Sequence, residues 1–159
     1  MTKKHDTEDL LAIANHLFVE TSRFTSGLGL RVDSVDPENT CMKFKIRDDL
    51  TGSDRTVNLH GGVIAAVLDI TGSLVIFANL VHKMKGDTLQ KRVEKVTRLN
   101  TIDLRIDYLR PGIGNEFRAT GYLLRTGKKV AVARMELHNE EDRLIAVGTG
   151  SYILGVVSD

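Results

Sequence analysis

The segment His60–Ser73 holds the residues of this chain that are best suited to do chemistry. It reads HGGVIAAVLDITGS, so two glycines begin an apolar run in which Asp69 is the one ionisable side chain before residue 80. N–H groups in the first turn of a helix have no partner within the helix, and with the helix dipole they can bind an oxygen that gains negative charge. A carboxylate within an apolar helix is costly unless it is paired or used, which makes Asp69 a candidate nucleophile or general base. Two structural explanations stay open: glycines that allow close helix packing, and an Asp69 that pairs with a buried arginine.

The spacing of Gly61 and Asp69 limits how these two groups can act together. They are eight residues apart, which is about 12 Å along a helix. An attacking group must come within roughly 3 Å of a carbonyl carbon, so one helix cannot offer both groups to the same carbonyl. Two antiparallel copies of the helix, related by a twofold axis, would bring Asp69 of one chain to Gly61 of the other. If both groups act on one carbonyl, we therefore expect at least a dimer with two shared sites.

Apolar periodicity predicts an α+β fold in which a curved antiparallel sheet wraps around one long central helix. This helix is expected over about 61–80 because the run is apolar nearly all round, and a polar loop, Asp48–Asn58, leads into it. Apolar residues at helical spacing from Leu10 to Phe18 predict an additional N-terminal helix over about 6–21. Apolar residues from Ile102 to Tyr108 alternate with charged ones, as in a strand with one buried face. The predicted strands, the last four of them forming an antiparallel meander, are Leu28–Val35, Thr40–Ile46, Asn100–Leu109, Glu116–Leu124, Lys129–His138 and Leu144–Leu154.

Length and composition limit the classes to which the chain can belong. Its 159 residues predict a single domain, 1–159. A formal net charge of +1 gives no reason to expect nucleic acid as a partner, and a single cysteine, Cys41, excludes an intrachain disulfide. Asp69 in the middle of the apolar run would cost about 2.5–3.5 kcal/mol in a bilayer, so no membrane insertion is expected. The N-terminus has no apolar signal segment, and the expected location is the cytoplasm.

Three segments of the chain resemble those of a known family. They are HGGVIAAVLD at 60–69, TIDLRIDYLRPG at 101–112 and TGKKVAVARMELHNE at 126–140. They are similar to segments of the hotdog-fold acyl-CoA thioesterases of the PaaI-like type, and in particular of its YigI-like branch of medium- and long-chain acyl-CoA thioesterases. The resemblance implies hydrolysis of an acyl-CoA to free acid and CoA, with no metal or other cofactor. It also implies a homodimer that pairs further into a dimer of dimers.

The same resemblance implies a role for individual residues. Asp69 matches the catalytic carboxylate, Gly61 matches the backbone donor that polarises the thioester carbonyl, and His60 helps to shape that end of the site. Ser73 matches a hydroxyl that orients water in some members. Thr101 matches a hydroxyl position near the carboxylate of the partner chain.

Binding of coenzyme A needs cations, and the resemblance points to Arg110, Lys128 and Lys129 for its phosphates. The basic segment 83–98, whose second half is expected to form a short helix, is the alternative phosphate site or a solvated helix face. The N-terminal helix and Phe24 are candidates for capping the acyl tunnel, or for ordinary packing.

One position departs from the family pattern. Many relatives carry Asn or Gln six residues before the histidine, where this chain has Asp54, and Asn58 is a candidate replacement at a different spacing.

Two other functions on the same fold are alternatives. A non-catalytic acyl-CoA-binding sensor would lack the central carboxylate and carry a further regulatory domain. A hydroxyacyl thioester dehydratase would need a His-Phe-Pro segment, which this sequence lacks.

Overall fold

The computed structural model describes residues 2–53, 56–96 and 98–155, and in it one long helix packs across an antiparallel sheet. In chain order the helices are α1 (Thr2–Asn15), α2 (Arg23–Gly27), α3 (Gly61–Lys83) and α4 (Leu89–Glu94). The strands are β1 (Arg31–Asp36), β2 (Asn39–Lys45), β3 (Thr51–Ser53), β4 (Thr56–Leu59), β5 (Arg98–Tyr108), β6 (Glu116–Thr126), β7 (Val130–Asn139) and β8 (Leu144–Gly155). A π-helical turn, His16–Glu20, lies between α1 and α2, and a 3₁₀ turn, Asp48–Leu50, precedes β3. The α+β architecture predicted from the sequence is confirmed.

The main sheet has six strands in the order β1-β2-β6-β7-β8-β5, and every neighbouring pair is antiparallel. The predicted C-terminal meander holds for β6, β7 and β8 but not for β5, which pairs with β8 and not with β6. Among the strands that the structure describes, β5 has a neighbour on one side only and is therefore an edge strand. The segment 48–58, predicted as a polar loop, contributes β3 and most of β4, which pair antiparallel as a separate two-stranded sheet.

Helix α3 is the core of the molecule. It spans 23 residues, three more than predicted, and buried side chains such as Leu68, Leu74 and Phe77 point in several directions around it. It is long and apolar enough to cross a membrane, but 61% of its most apolar window is buried inside the protein. Each large aliphatic or aromatic side chain buried in this way contributes roughly 1.5–3 kcal/mol. The prediction of a buried central helix is confirmed.

The N-terminal helix ends earlier than predicted and changes its geometry. At its last residue, Asn15 Oδ1 accepts a hydrogen bond from the N–H of Val32 (2.9 Å), and Asn15 Nδ2 donates to the carbonyl of Val32 (3.1 Å). The side-chain amide therefore pairs with the free backbone edge of β1, as a further strand would. After this anchor the chain continues as the π-helical turn, whose residues Leu17 and Phe18 pack against the core.

Strand β5 contains a bulge that changes which of its side chains face α3. Thr101 pairs with Tyr152, but Asp103 already pairs with Ser151, so Ile102 is an extra residue in β5. Leu104 packs against the core on one side of the bulge, whereas Ile102 is 57% exposed. The strict alternation from Ile102 onwards that the sequence predicted is therefore wrong at Ile102. A bulge of this kind re-aims a neighbouring side chain, and here that side chain belongs to Thr101.

Candidate active site

Asp69 is held by a hydroxyl of the neighbouring strand. Thr101 Oγ1 donates a hydrogen bond of 2.8 Å to Asp69 Oδ1. The two groups belong to the same chain, because the bulge at Ile102 turns Thr101 towards the α3 of its own chain. The family resemblance implied a hydroxyl near the carboxylate of the partner chain, and this stays a prediction. One oxygen of the carboxylate is thus fixed, and among the described residues no side chain bonds Oδ2, so this oxygen can meet a reactant.

The backbone of Asp69 has a second anchor, which was not predicted from the sequence. Tyr152, which is fully buried, donates a hydrogen bond of 3.1 Å from its hydroxyl to the main-chain carbonyl of Asp69. Burial, together with the charge of the Asp69 carboxylate, raises the pKa of Tyr152 far above its ordinary value. The phenol therefore stays protonated and remains a donor.

Two glycines make room for this tyrosine. A Cβ at Gly150 would lie 2.6 Å from the Tyr152 hydroxyl oxygen, and a Cβ at Gly72 would lie 2.7 Å from Tyr152 Cζ. Cβ atoms do not approach other heavy atoms so closely, so the ring fills a slot that the absence of two side chains leaves between α3 and β8. A tyrosine two residues after a glycine on a core strand is the signal that could have identified this anchor from the sequence.

The start of α3 forms the other half of the candidate site. His60 is the N-cap, and its Nδ1 accepts a hydrogen bond of 2.9 Å from the N–H of Gly62, so the neutral ring carries its proton on Nε2. The N–H groups of Val63 and Ile64 donate to the carbonyl of His60. Within the described parts of the chain, no acceptor is paired with the N–H of Gly61. This donor is therefore available for a substrate oxygen.

Tyr108 braces this helix start from the far end of β5. Its hydroxyl donates a hydrogen bond of 3.1 Å to the carbonyl of Gly61, and a Cβ at Gly61 would lie 3.6 Å from its ring. The apolar alternation in this strand predicted Tyr108 on the buried face, and this contact could not be predicted from it. Because β5 runs antiparallel to α3, Thr101 reaches Asp69 at one end while Tyr108 reaches Gly61 at the other.

The two halves of the site lie apart within one chain. Gly61 and Asp69 belong to one uninterrupted α-helix, so about 12 Å separates them along its axis. One chain therefore cannot bring its own Asp69 to a carbonyl that is bound at its own Gly61.

A cavity of about 270 Å³ opens beside Asp69 between α3 and the N-terminal segment. Ser73, one helical turn after Asp69, lines it as well, so the structure brings together Asp69, Ser73 and Thr101. Phe24, a candidate cap, is 64% exposed and is not among the lining residues. The lining residues are Leu17, Phe18, Ser22, Thr25, Asp69, Ile70, Ser73, Phe77, Val96 and Leu99.

The three candidate phosphate-binding residues do not form one cluster in a single chain. Arg110 follows the C-terminal end of β5 and donates to the carbonyl of Leu144 (2.9 Å). Lys128 and Lys129 lie in the β6–β7 turn. The Lys129 carbonyl accepts a hydrogen bond from the N–H of Leu154, and Leu154 pairs with Leu99, so this turn lies beside the N-terminal end of β5. The distance between the two groups is therefore on the order of the length of β5, roughly 30 Å.

The alternative phosphate site, the basic segment 83–98, contains α4 as predicted. Two of its cations already have acidic partners. Arg92 pairs with Asp6 (3.1 Å) and also donates to the carbonyl of Val81, and Lys95 pairs with Asp87 (3.2 Å). The Arg92 contacts tie α4 to α1 and α3, and the Lys95 contact lies within the basic segment, so these contacts favour a structural role for both residues.

Asp54 and Asn58 are the remaining candidate positions, in the segment that precedes α3. Asp54 lies outside the residues that the structure describes, and Asn58 lies in β4, two residues before His60. In the described part of the chain, no group of three or more His, Cys, Asp or Glu side chains is placed to hold a metal ion.

Comparison with known proteins identifies the family. Residues 58–146 match the family model described as the thioesterase superfamily. The chain is 40% identical over 148 residues to the medium/long-chain acyl-CoA thioesterase YigI of Escherichia coli, covering 93% of this chain and 96% of that protein. It is 27% identical over 124 residues to acyl-coenzyme A thioesterase 13 of mouse, covering 77% of each chain. A crystal structure of a Shewanella oneidensis protein related to the thioesterase superfamily superposes with a TM-score of 0.85 at 39% identity, covering 93% of this chain and 97% of that one. The resemblance inferred from the sequence is confirmed, and the chain belongs to the thioesterase superfamily.

Proposed function

We propose that this protein hydrolyses acyl-CoA thioesters to a free acid and CoA, with Asp69 as its catalytic carboxylate. The observation that carries the proposal is the Asp69 carboxylate, fixed by Thr101 at the opening of a cavity lined largely by apolar side chains. The name of the Escherichia coli relative, a medium/long-chain acyl-CoA thioesterase, supports the substrate class. Because a reducing compartment suits the single cysteine, we place this activity in the cytoplasm.

In the proposed reaction the thioester oxygen binds the N–H of Gly61 at the start of α3. Asp69 attacks the acyl carbon directly, or it takes a proton from a water that attacks. In both cases the C–S bond breaks, the hydroxyl of one water ends on the acyl carbon, and CoA leaves as a thiolate that then takes up a proton. The helix start stabilises the oxyanion, because the N–H of Gly61 and the helix dipole are already oriented towards it.

We further propose that the working unit is a dimer with Asp69 of one chain facing Gly61 of the other. The separation of about 12 Å within one helix supports this arrangement. Strand β5 supplies a surface for pairing, because it is an edge strand whose Ile102, Tyr108 and the adjoining Leu109 are exposed. Antiparallel pairing of two β5 strands would place the Thr101 end of one chain near the Tyr108 end of the other. Further pairing into a dimer of dimers is part of the same proposal.

The first experiment measures CoA release from acyl-CoA by the wild type and by Asp69→Asn. A general base or nucleophile contributes at least about 100-fold, so we expect kcat to fall by that factor while the far-ultraviolet circular dichroism spectrum is unchanged. A near wild-type rate for Asp69→Asn would refute the role of Asp69. No CoA release by the wild type from any acyl-CoA would refute the proposed function itself.

The second experiment removes the N–H of Gly61 without disturbing the helix. Gly61 is the first residue of α3, a position where proline is favoured, and the preceding His60 has φ −62° and ψ 137°, which a following proline requires. Gly61→Pro should therefore fold normally and lose activity. Gly61→Ala, whose Cβ would make ordinary contact with Tyr108 at 3.6 Å, keeps the N–H and is the matched control.

Mixed dimers test whether the two chains share each site. An Asp69→Asn chain and a Gly61→Pro chain are unfolded together and refolded. If sites are shared, half of the dimers are mixed and each has one intact site, so about a quarter of wild-type activity returns. If each chain used its own two groups, mixing would restore nothing, and that result would refute the shared site.

The phosphates of CoA are assigned to Arg110, Lys128 and Lys129 in the same proposal. In the antiparallel dimer, the C-terminal end of β5 in one chain lies next to the N-terminal end of β5 in the other. Arg110 of one chain would therefore approach Lys128 and Lys129 of the other chain. Replacing Lys128 and Lys129 together with alanine should raise KM for acyl-CoA about tenfold with kcat little changed. The reason is that these cations would bind the CoA phosphates equally strongly in the ground state and in the transition state. Lys91→Ala, on the exposed face of α4, is the control. A larger increase in KM for Lys91→Ala than for the double variant would assign the phosphate site to the basic segment instead.

A further inference from the structure

We propose that the aromatic pair Phe18–Phe77 closes the far end of the cavity beside Asp69 and thereby sets the length of acyl chain that the protein accepts. This inference rests on the proposed function, because it takes an acyl thioester as the substrate. It assigns a specificity-determining contact to the π-helical turn of the N-terminal segment.

The cavity has a direction, which the face of α3 defines. Asp69, Ser73 and Phe77 are spaced at four-residue intervals, so they lie on one face of the helix, and all three line the cavity. Asp69 at one end is partly exposed, whereas Phe77 at the other end is 1% exposed. The cavity therefore runs from a reactive, open end to a buried end.

The buried end is closed by two rings from different elements. The ring of Phe18 meets that of Phe77 edge to face, with centroids 5.3 Å apart and an interplanar angle of 63°. Phe18 lies on the π-helical turn His16–Glu20, which follows the anchoring of Asn15 to β1. An alkyl chain extending along α3 from Asp69 would meet this pair, and on this line it could continue only by displacing a ring.

The length of the cavity gives an estimate of how many carbons of an acyl chain it can hold. Asp69 and Phe77 are eight residues apart in α3, so their separation along the axis is about 12 Å. Carbon–carbon bonds of about 1.5 Å in an extended zigzag advance about 1.3 Å per carbon. The space between the carboxylate and the aromatic pair thus suits an alkyl chain of about nine carbons, which corresponds to a medium-chain acyl group.

A second cavity offers another place where the end of the acyl chain could lie. It has a volume of about 300 Å³, is lined by apolar residues such as Leu80, Met84 and Leu154, and shares Val96 and Leu99 with the first cavity. A chain that passed between these shared residues would enter the second cavity instead of stopping at the aromatic pair.

The test measures kcat/KM for a series of saturated acyl-CoAs from butyryl to stearoyl. Each methylene that enters the cavity should raise kcat/KM about fourfold, equivalent to about 0.8 kcal/mol, until the limit is reached. Phe18→Ala should extend the limit, raising kcat/KM at least about tenfold for chains a few carbons longer than the wild type accepts. Phe18→Trp should shorten the limit, because a larger ring fills the buried end.

Matched variants separate this effect from general damage. Phe24→Ala removes another aromatic ring of the N-terminal region that is exposed and lies outside the cavity, so it should leave the chain-length profile unchanged. Leu99→Ala opens the wall shared by the two cavities. Thermal unfolding of each variant shows that it is folded, and Phe18→Leu serves as a milder truncation where Phe18→Ala is unstable.

The outcomes distinguish this inference from the proposed function. A limit that moves outwards in Phe18→Ala and inwards in Phe18→Trp supports the aromatic pair. A limit that moves in Leu99→Ala but not in folded Phe18 variants places the end of the chain at the shared wall and overturns the inference. A wild type that releases CoA, with a profile unaffected by any of these variants, overturns it too and leaves the proposed function intact.

Discussion

Thr101 and Tyr152 lie directly opposite each other in the β5–β8 pair, and both donate a hydrogen bond to Asp69. The hydroxyl of Thr101 holds the carboxylate, and that of Tyr152 holds the main-chain carbonyl. One cross-strand pair therefore fixes both the side chain and the backbone of this residue. Orientation of a reacting group before the substrate arrives lowers the reorganisation that catalysis requires.

Removing the hydroxyl of Thr101 should lower kcat more than it affects stability. The hydrogen bond is exposed and contributes little to stability, but a reacting group misplaced by about 1 Å can lose about 100-fold in rate, so Thr101→Val should reduce kcat at least about tenfold. Thr101→Ser keeps the hydroxyl and should retain most of the activity. Steady-state kinetics on both variants check this, and equal losses in the valine and serine variants would contradict it.

Filling the slot around Tyr152 should destabilise the protein. Alanine at a helix-interior glycine is ordinarily favourable by roughly 0.5–1 kcal/mol, but at Gly72 its Cβ would collide with the Tyr152 ring and would lie 3.0 Å from the sulfur of Met135. Overpacking typically costs about 1–3 kcal/mol, so the collision should outweigh the gain and lower the free energy of unfolding.

Denaturant unfolding of Gly72→Ala, with two comparison variants, measures this cost. Gly27→Ala in α2 is the control, because a Cβ there meets nothing within 4 Å. In Gly72→Ala combined with Tyr152→Phe, the loss should be smaller than the sum of the single losses, since the phenylalanine lacks the hydroxyl. Strictly additive losses would show that Tyr152 does not fill the slot.

The cap of α3 should depend on the acceptor nitrogen of His60. His60→Ala loses the hydrogen bond to the N–H of Gly62, and loss of an N-cap costs about 1 kcal/mol. His60→Asn offers another acceptor and should restore most of the stability. Thermal unfolding of the two variants checks this, and identical midpoints in both variants and the wild type would mean that the cap contributes nothing.

The thiol of Cys41 should be slow to react in the folded protein. Burial raises its pKa above the ordinary value, so at pH 8 the folded state holds less thiolate than the unfolded chain, and reactivity should appear only at higher pH. With a disulfide reagent such as DTNB we expect little labelling of the native protein and one thiol per chain in guanidinium chloride. Rapid labelling of the native protein at pH 8 would contradict the burial of Cys41 and would also interfere with assays of CoA release.

The helices and most strands could be predicted because their apolar patterns are strong. The run from Gly61 is apolar nearly all round, and the structure buries it as α3. The bulge at Ile102 could not be predicted, because an alternating pattern continues through it and only the pairing with β8 reveals the extra residue. The π-helical turn also escaped prediction, since its residues keep helical spacing; it begins directly after Asn15, whose contact with β1 joins residues 17 apart in the sequence.

For the candidate site, the sequence indicated the two reacting groups but not all of the side chains that hold them in place. Asp69 and Gly61 stand out because a carboxylate and paired glycines are unusual in an apolar helix. Tyr108 and Tyr152 do not stand out, because each looks like an ordinary strand residue. Their hydroxyls reach α3 through the packing of β5 and β8 against it, which no local pattern encodes.

The extra residue at Ile102 also affects how related sequences should be compared. Some relatives will lack the extra residue in this strand. In an ungapped alignment with such a relative, residues that face α3 would be matched with residues that face outwards over about half of the strand. A hydroxyl equivalent to that of Thr101 should then be sought at either of two adjacent columns, and homology models built on such a template would place it on the wrong side of the sheet.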